Sequence, residues 1–372
     1  MVSVVAASAP AGASPLDVLG LGSRRAGQAN AGIAAADDAA AVYENPAGLL
    51  GRPACRRDDE RHDKRADNGR RNDRDRDDTC DAATRTGELV LGTVGEYSHL
   101  SINGIRAPLA DAGAAQLAVR VGLASRFALG FAMSAPSSHL GYAVIRAPDQ
   151  PYYPYYRDRL SRAVLLVGAA VRVTDQLGIG GSLDLAPGFM KSRAIAGVTA
   201  RLSSTLRAGF AYHQRFALVD EATDVRVHYT PHQVNAGVSY TTDAIVASLD
   251  AGWAHWSGFR GPYPLGVETP PYKDTFSIRF GAESSATAGT IFRAGYAFES
   301  SAIPATQPVT NLLDGTKHTV TGGAGYAAGK LRVDAHVLIT IVTTRTLERM
   351  GQPKLKSGGE LFGAGLSATI GF

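Results

Sequence analysis

Between Leu89 and Phe372 the hydrophobic residues fall at every second position, which limits this part of the chain to strands with one apolar and one polar face. In DTFSIRFGAE, Phe276, Ile278, Phe280 and Ala282 alternate with Ser277, Arg279, Gly281 and Glu283. Phe292, Ala294, Tyr296 and Phe298 then stand against Arg293, Gly295, Ala297 and Glu299. Leu331, Val333, Ala335, Val337 and Ile339 stand against Arg332, Asp334, His336 and Thr340. The final segment keeps Phe362, Ala364, Leu366, Ala368, Ile370 and Phe372 on its apolar side. Fourteen strands are expected, near 89–100, 115–123, 127–134, 162–173, 177–187, 192–201, 204–217, 231–240, 243–256, 273–283, 289–299, 316–327, 330–341 and 360–372. An even number of strands of about 10 residues fits a closed transmembrane barrel, because an open sheet edge cannot face lipid. The connections 124–126, 174–176 and 241–242 are tight, whereas 135–161, 257–272, 300–315 and 342–359 are long, so the tight ones belong on the periplasmic side. A soluble sandwich or propeller would alternate as well, but it would not need outward faces so uniformly apolar. The expected fold is therefore an all-β transmembrane barrel of about fourteen antiparallel strands, covering 89–372.

Composition removes several other classes. The 372 residues include 42 glycines and only 19% charged residues, and no apolar run reaches the roughly 20 residues of a membrane-spanning helix. The net charge of +4 comes without a basic face interleaved with aromatics, so nucleic acid is not an expected partner. No G-x-S-x-G or H-E-x-x-H motif is present, and no catalytic residues, metal site or cofactor are expected. His228 and His232 are four apart, but Pro231 interrupts their strand, which favours solvated loop histidines over metal ligands.

The stretch 15–50, PLDVLGLGSRRAGQANAGIAAADDAAAVYENPAGLL, reads neither as strand nor as loop. Asp37 and Asp38 can cap a short helix over residues 39–43. Asn45 can cap a second turn whose first residue is Pro46, followed by Ala47 and Gly48. Pro46 keeps Asn45 out of the helical region, so the two turns cannot merge and a kinked plug results. Gly20, Gly22 and Gly27 lack dinucleotide-loop spacing, and no strand precedes them.

A Gly-rich start, an ADDA helix and an NPAGL turn in this order resemble the N-terminal hatch of the FadL/TodX family of outer-membrane transport proteins. WSGF at 256–259, YKD at 272–274 and RAGYAFESSAIP ending at Pro304 are similar to the strand-loop-strand pattern of that family, and the terminal Phe372 resembles the recognition signal of outer-membrane barrels. The resemblance implies a Gram-negative outer-membrane protein, a monomer in contact with outer-membrane lipid. It implies passive uptake of long-chain fatty acids or other hydrophobic small molecules, and no enzymatic activity. It also implies a hatch of residues 15–52, with Asp37, Asp38, Asn45, Pro46, Ala47 and Gly48 in gating roles. Solute leaves such proteins through a gap at a kinked strand, for which Gly130 in FALGFAM is the candidate.

Two segments depart from that pattern. Residues 53–88 contain an almost entirely charged run from Arg56 to Asp78 with both signs mixed, a disordered composition, and the segment is either an inserted loop or a misread coding stretch. Residues 1–14, MVSVVAASAPAGAS, fit a truncated signal peptide with Ala11, Gly12 and Ala13 as an A-x-A-like cleavage site; a disordered cytoplasmic leader is the alternative. Cys55 and Cys80 permit one periplasmic disulfide.

Candidate ligand contacts are of two kinds. Tyr152, Tyr153, Tyr155 and Tyr156 in PYYPYY form either an external capture site for hydrophobic solutes or an interfacial aromatic girdle. Arg120, Arg172, Arg279 and Arg293, with Arg207 and Arg332, face the lumen, where a guanidinium can bind a carboxylate head group in bidentate fashion or simply pair with Asp184, Glu283, Glu299 or Asp334. The rival functions are a barrel acting as surface receptor or assembly partner without transport, and an outer-membrane lipase, which would need a serine and a histidine within hydrogen-bond reach.

Overall fold

The computed structural model describes residues 16, 19–51, 87–107, 112–136, 163–186, 191–220, 225–259, 271–284, 288–307, 313–349 and 351–372. The expected signal segment 1–14, nearly all of the charged segment 53–88 with both cysteines, and Tyr152, Tyr153, Tyr155 and Tyr156 lie outside the described residues.

Among the described residues fourteen long strands form the barrel. They are β1 (Gly87–Ile102), β2 (Ala112–Ala124), β3 (Phe127–Pro136), β4 (Val164–Arg172), β5 (Leu177–Ala186), β6 (Lys191–Arg201) and β7 (Leu206–His213). The second half is β8 (Gln233–Thr241), β9 (Ile245–Ala254), β10 (Thr275–Ser284), β11 (Thr290–Glu299), β12 (Lys317–Ala328), β13 (Leu331–Arg349) and β14 (Leu355–Gly371). Each pairs antiparallel with its sequence neighbours. β14 closes the ring on β1, with Leu89 opposite Ile370 and Tyr97 opposite Phe362. A separate hairpin, Phe216–Asp220 with Val225–Thr230, branches off after β7.

The facing follows the alternation. Phe276 is 60% exposed and Phe280 46%, while Glu283 is 8% and Asp334 0% exposed, so rings point out and charges point in. That inversion of a soluble protein's surface suits hydrocarbon outside and a polar lumen inside. Gly87 and Phe372 exchange two backbone hydrogen bonds of 2.9 Å at the end carrying the tight turns, such as Val173 to Leu177. The other end carries the long connections.

One connection differs from expectation. The stretch 342–359 is mostly strand, because β13 runs on to Arg349 and β14 starts at Leu355, with a register shift between Val342 and Arg345. Thr343, Thr344, Arg345 and Lys356 break the apolar alternation there, as expected of paired strands that rise above the lipid belt.

Candidate functional site

The hatch, Leu19 to Gly51, occupies the lumen nearer the tight turns, against wall positions such as Val90, Gly130, Gly178 and Ser367. Its residues are small, and Ala31, Ala34, Ala35, Ala36, Ala39 and Ala41 are all buried. It contains two one-turn helices, α1 (Ser23–Ala26) and α2 (Ala41–Glu44), followed by a 3₁₀ turn, Pro46–Leu50. Asn45 separates the last two with an extended backbone (φ −158°, ψ 99°), and its Oδ1 accepts from the Ala47 N–H at 3.3 Å. Its Nδ2 donates to the Ile33 carbonyl at 2.7 Å and to the Val198 carbonyl of β6 at 3.0 Å, so one side chain caps the turn, ties two hatch segments and reaches the wall. Pro46 begins the 3₁₀ turn, where its missing N–H is not needed.

Glycines on the inner wall admit the hatch backbone. A Cβ on Gly180 would lie 2.4 Å from the Pro46 carbonyl carbon, one on Gly197 2.0 Å from Asn45 Oδ1, and one on Gly209 2.2 Å from the Ile33 carbonyl oxygen. Gly48 of the hatch is likewise confined, since a Cβ there would lie 2.5 Å from the Ala36 carbonyl oxygen. Gly130 belongs to the same set and is not a kink. It sits in unbroken register between Arg120 of β2 and Gly168 of β4, and the space its side chain would take holds Leu49.

Asp37 and Asp38 do more than cap. The α2 helix starts at Ala41 without a side-chain cap on its N-cap residue Ala40. Asp38 Oδ1 does accept the Ala40 N–H at 3.2 Å, but both carboxylates chiefly serve two arginines. Arg24 Nη1 reaches Asp37 at 2.8 Å and Asp38 at 3.0 Å, and Arg25 Nη2 reaches them at 2.8 and 3.1 Å. Charges this deep in the lumen need such partners to remain ionised. Arg24 also forks onto Glu283 of β10 at 2.7 and 2.8 Å. Glu283 continues to Arg293, and Arg293 to Asp334, which also pairs with Arg332. Glu44, at the end of α2, is buried with no hydrogen bond to either oxygen and has Arg25 Nε 3.9 Å away. Burial pushes its carboxyl up to about 8, Arg25 opposing and Asp38 reinforcing the shift.

The lumen arginines therefore separate. Arg293 is consumed by Glu283 and Asp334 and is not available to a ligand. Arg120 donates to the Leu49 carbonyl at 3.3 Å and stands 3.7 Å from Glu88, so it serves the hatch. Arg172 is half-buried at the tight-turn end of β4. Arg279 makes no hydrogen bond or ion pair with another described residue and borders a cavity of about 70 Å³ above the hatch. Ala26, Ala29 and Asn30 floor that cavity, and Lys317, Glu299 and Glu96 share its wall. Lys317 is held by Glu299 at 2.9 Å and Asp314 at 3.1 Å.

Toward the long-loop end a buried apolar cluster includes Leu100, Leu355 and four rings. Tyr229 stacks on Phe259 at 4.6 Å, Phe259 meets Tyr272 edge-on at 4.8 Å, and Trp256 lies 5.7 Å from Tyr229. Nearby, Ser257 Oγ and Asp274 Oδ2 each approach His255 Nδ1 at 3.3 Å. A hydrolytic triad needs the serine on one ring nitrogen and the carboxylate on the other. Here both use Nδ1, and Asp274 Oδ1 accepts the Ser257 N–H at 2.9 Å, which is turn capping rather than nucleophile activation. His232 Nδ1 is engaged with the Tyr212 hydroxyl at 2.7 Å. Among the described residues no group of three His, Cys, Asp or Glu side chains could hold a metal.

A lipid-facing barrel of fourteen strands with its own N-terminal segment lodged in the lumen is a hatch-plugged, outer-membrane-type β-barrel. Its fold is that of the FadL and TodX outer-membrane proteins. The structure is similar to a Pseudomonas aeruginosa FadL homologue, with a TM-score of 0.60 at 15% identity over 94% of this chain and 98% of that one. It is similar to the Pseudomonas putida toluene transporter TodX, with a TM-score of 0.54 at 14% identity over 90% and 94% of the two chains. The Ralstonia pickettii toluene transporter TbuX gives 0.53 at 16% identity over 94% and 98%. No known family's sequence profile matches the chain, and no curated protein matches it. Arg24, Arg25 and Glu44 carry no sequence motif of their own, whereas Trp256, Phe259 and Tyr272 of the aromatic cluster fall within WSGF and YKD.

Proposed function

We propose that this protein carries hydrophobic small molecules passively across a Gram-negative outer membrane, as a monomer and without enzymatic chemistry. The observation that carries the reading is the layering of the lumen: a buried aromatic cluster toward the long loops, a cavity beneath it, and a hatch below that. Aromatic and aliphatic side chains offer a solute a path out of water before it meets the plug. Toluene transport by TodX and TbuX supports the same class of solute.

Within that class, Arg279, which borders the cavity and spends no hydrogen bond on another described residue, favours an amphipathic carboxylate, since a guanidinium can take both oxygens of a head group. A cavity of about 70 Å³ is well below the roughly 300 Å³ at which small-molecule sites begin, so solute entry requires the hatch or the loops to move. Uptake of labelled oleate and labelled toluene by cells expressing the protein tests both levels. Oleate uptake that falls on Arg279→Ala while toluene uptake persists supports the head-group role.

A second reading, a closed barrel serving as a surface receptor, draws on the ion pairs that hold the hatch and on the small cavity. It expects uptake of neither compound.

A further inference from the structure

Three neighbouring strands stand taller than the rest of the barrel. β13, β14 and β1 have 19, 17 and 16 residues, against 8 to 13 in the other eleven barrel strands. About 9–11 residues suffice for a strand to cross the bilayer core. The three are level at the tight-turn end, where Leu331 of β13 and Leu89 of β1 both pair with Ile370 of β14, so the surplus lies at the end with the long connections. The outer face of this panel changes character partway up. Its apolar part ends in a row formed by Tyr97, Phe362 and Ile339, which are 46%, 42% and 44% exposed and stand directly opposite one another across β1, β14 and β13. Beyond that row, alongside Ile341, the outward positions of β1, β14 and β13 become polar, with His99, Glu360, Thr346 and Lys356 all exposed.

Two cations are fixed on this face at different heights. Arg106, in the short return strand Ile105–Arg106 that pairs with the end of β1, turns its side chain back down the panel. Its guanidinium carbon lies 4.4 Å from the Tyr97 ring centroid and its Nε donates to the Ser98 carbonyl at 3.0 Å, which holds the charge at the upper edge of the apolar belt. Lys356 is four residues along β14 from Glu360, about 13 Å farther up the strand. Asn103 secures it there, its N–H donating to the Lys356 carbonyl at 2.7 Å and its Oδ1 accepting the Lys356 N–H at 2.8 Å. Of the described carboxylates on this face, Glu348 is taken by Lys354 at 2.6 Å and Glu360 stands directly opposite His99. The outer-membrane reading turns this end of the barrel toward the outer leaflet, and on that reading we propose that the panel binds a phosphorylated glycolipid of that leaflet, lipopolysaccharide. Its acyl chains lie on Tyr97, Phe362 and Ile339, Arg106 meets a phosphate of the lipid anchor, and Lys356 meets the acidic groups of the core sugars above. A phospholipid carries its charge at one height only, and inorganic phosphate gains nothing from the apolar row, so cations on two levels above an apolar belt favour the glycolipid.

The test is a fluorescence-polarisation titration of labelled rough-type lipopolysaccharide with protein refolded in detergent, free of native lipid, and shown to be folded by heat-modifiable migration. A basic residue at an anionic lipid surface is worth about a fivefold factor in affinity, so Arg106→Gln with Lys356→Gln should weaken binding about thirtyfold. Lys330→Gln, an exposed lysine at the tight-turn end, should leave the affinity unchanged. Should the Arg106 change impair assembly, Lys356→Gln alone still reads about fivefold. Unlabelled lipopolysaccharide should displace the probe, whereas phosphatidylglycerol and inorganic phosphate should not. Equal affinity of parent and double variant, equal weakening by Lys330→Gln, or displacement by phosphatidylglycerol or phosphate as effective as by lipopolysaccharide overturns the site. Recovery of the parent outside outer-membrane fractions refutes the location on which the proposal rests, whereas equal affinities in a protein that does fractionate there refute this surface alone.

Discussion

Arg24 Nη2 lies 2.7 Å from Glu283 Oε1, joining the hatch to the barrel wall across 259 residues of sequence. Glu283 also holds Arg293 at 2.7 Å, so removing its charge leaves two guanidiniums short of a partner. Breaking a buried pair at one partner costs about 3–5 kcal/mol. We expect Glu283→Gln to keep a heat-modifiable barrel yet to raise ion conductance in planar bilayers as the hatch loosens. Conductance equal to the parent's would remove the anchoring role.

Asn45→Ala with Pro46→Ala deletes the bonds to Ile33 and Val198 and the break between α2 and the 3₁₀ turn. Loss of the cap alone is worth about 0.5–2 kcal/mol. The double variant should gain bilayer conductance, lose uptake, or both, and trypsin should cut the hatch faster than in the parent.

Phe280 faces lipid and Ser277 borders the lumen cavity. Phe280→Arg should sharply reduce the heat-modifiable form in outer-membrane fractions, since an arginine at mid-bilayer costs about 2–4 kcal/mol. Ser277→Arg should assemble normally. Equal loss from both would contradict the facing of β10.

Glu44 gives the hatch a pH dependence. Its docked carboxyl is held at about 8 against a usual 4.5, so the docked hatch keeps a proton that a released hatch gives up. Docking is therefore fully supported below about 4.5 and weakens as pH rises through about 8. The groups facing it are Arg25, Asp38, Asp250 and Arg279, and none supplies a hydrogen bond. Openings in bilayers should grow more frequent over that range in the parent and much less so in Glu44→Gln. An identical pH profile for the two would dismiss Glu44 as the titrating group.

The barrel was legible because lipid imposes a strict rule on every second residue, as in Phe276, Ile278 and Phe280, and period two survives without knowledge of partners. The hatch was legible through Asn45 and Pro46, whose backbone demands are local. What the sequence did not disclose depends on pairing across distance: Asp37 and Asp38 read as caps because Arg24 and Arg25 are brought to them only by folding. Gly130 read as a weak point in a strand, although its missing side chain is filled by Leu49. Arg293 read either as a head-group contact or as a partner of an acidic wall residue, and folding gives it two such partners, Glu283 and Asp334. The upper parts of β13 and β14 escaped notice because strands beyond the lipid need no alternation.

The most direct test of hatch-gated hydrophobic uptake is to measure labelled oleate and toluene uptake by expressing cells together with single-channel conductance of the purified protein. Uptake of at least one compound with almost no ion conductance is the expected result. Steady porin-like conductance with uptake of neither would contradict it.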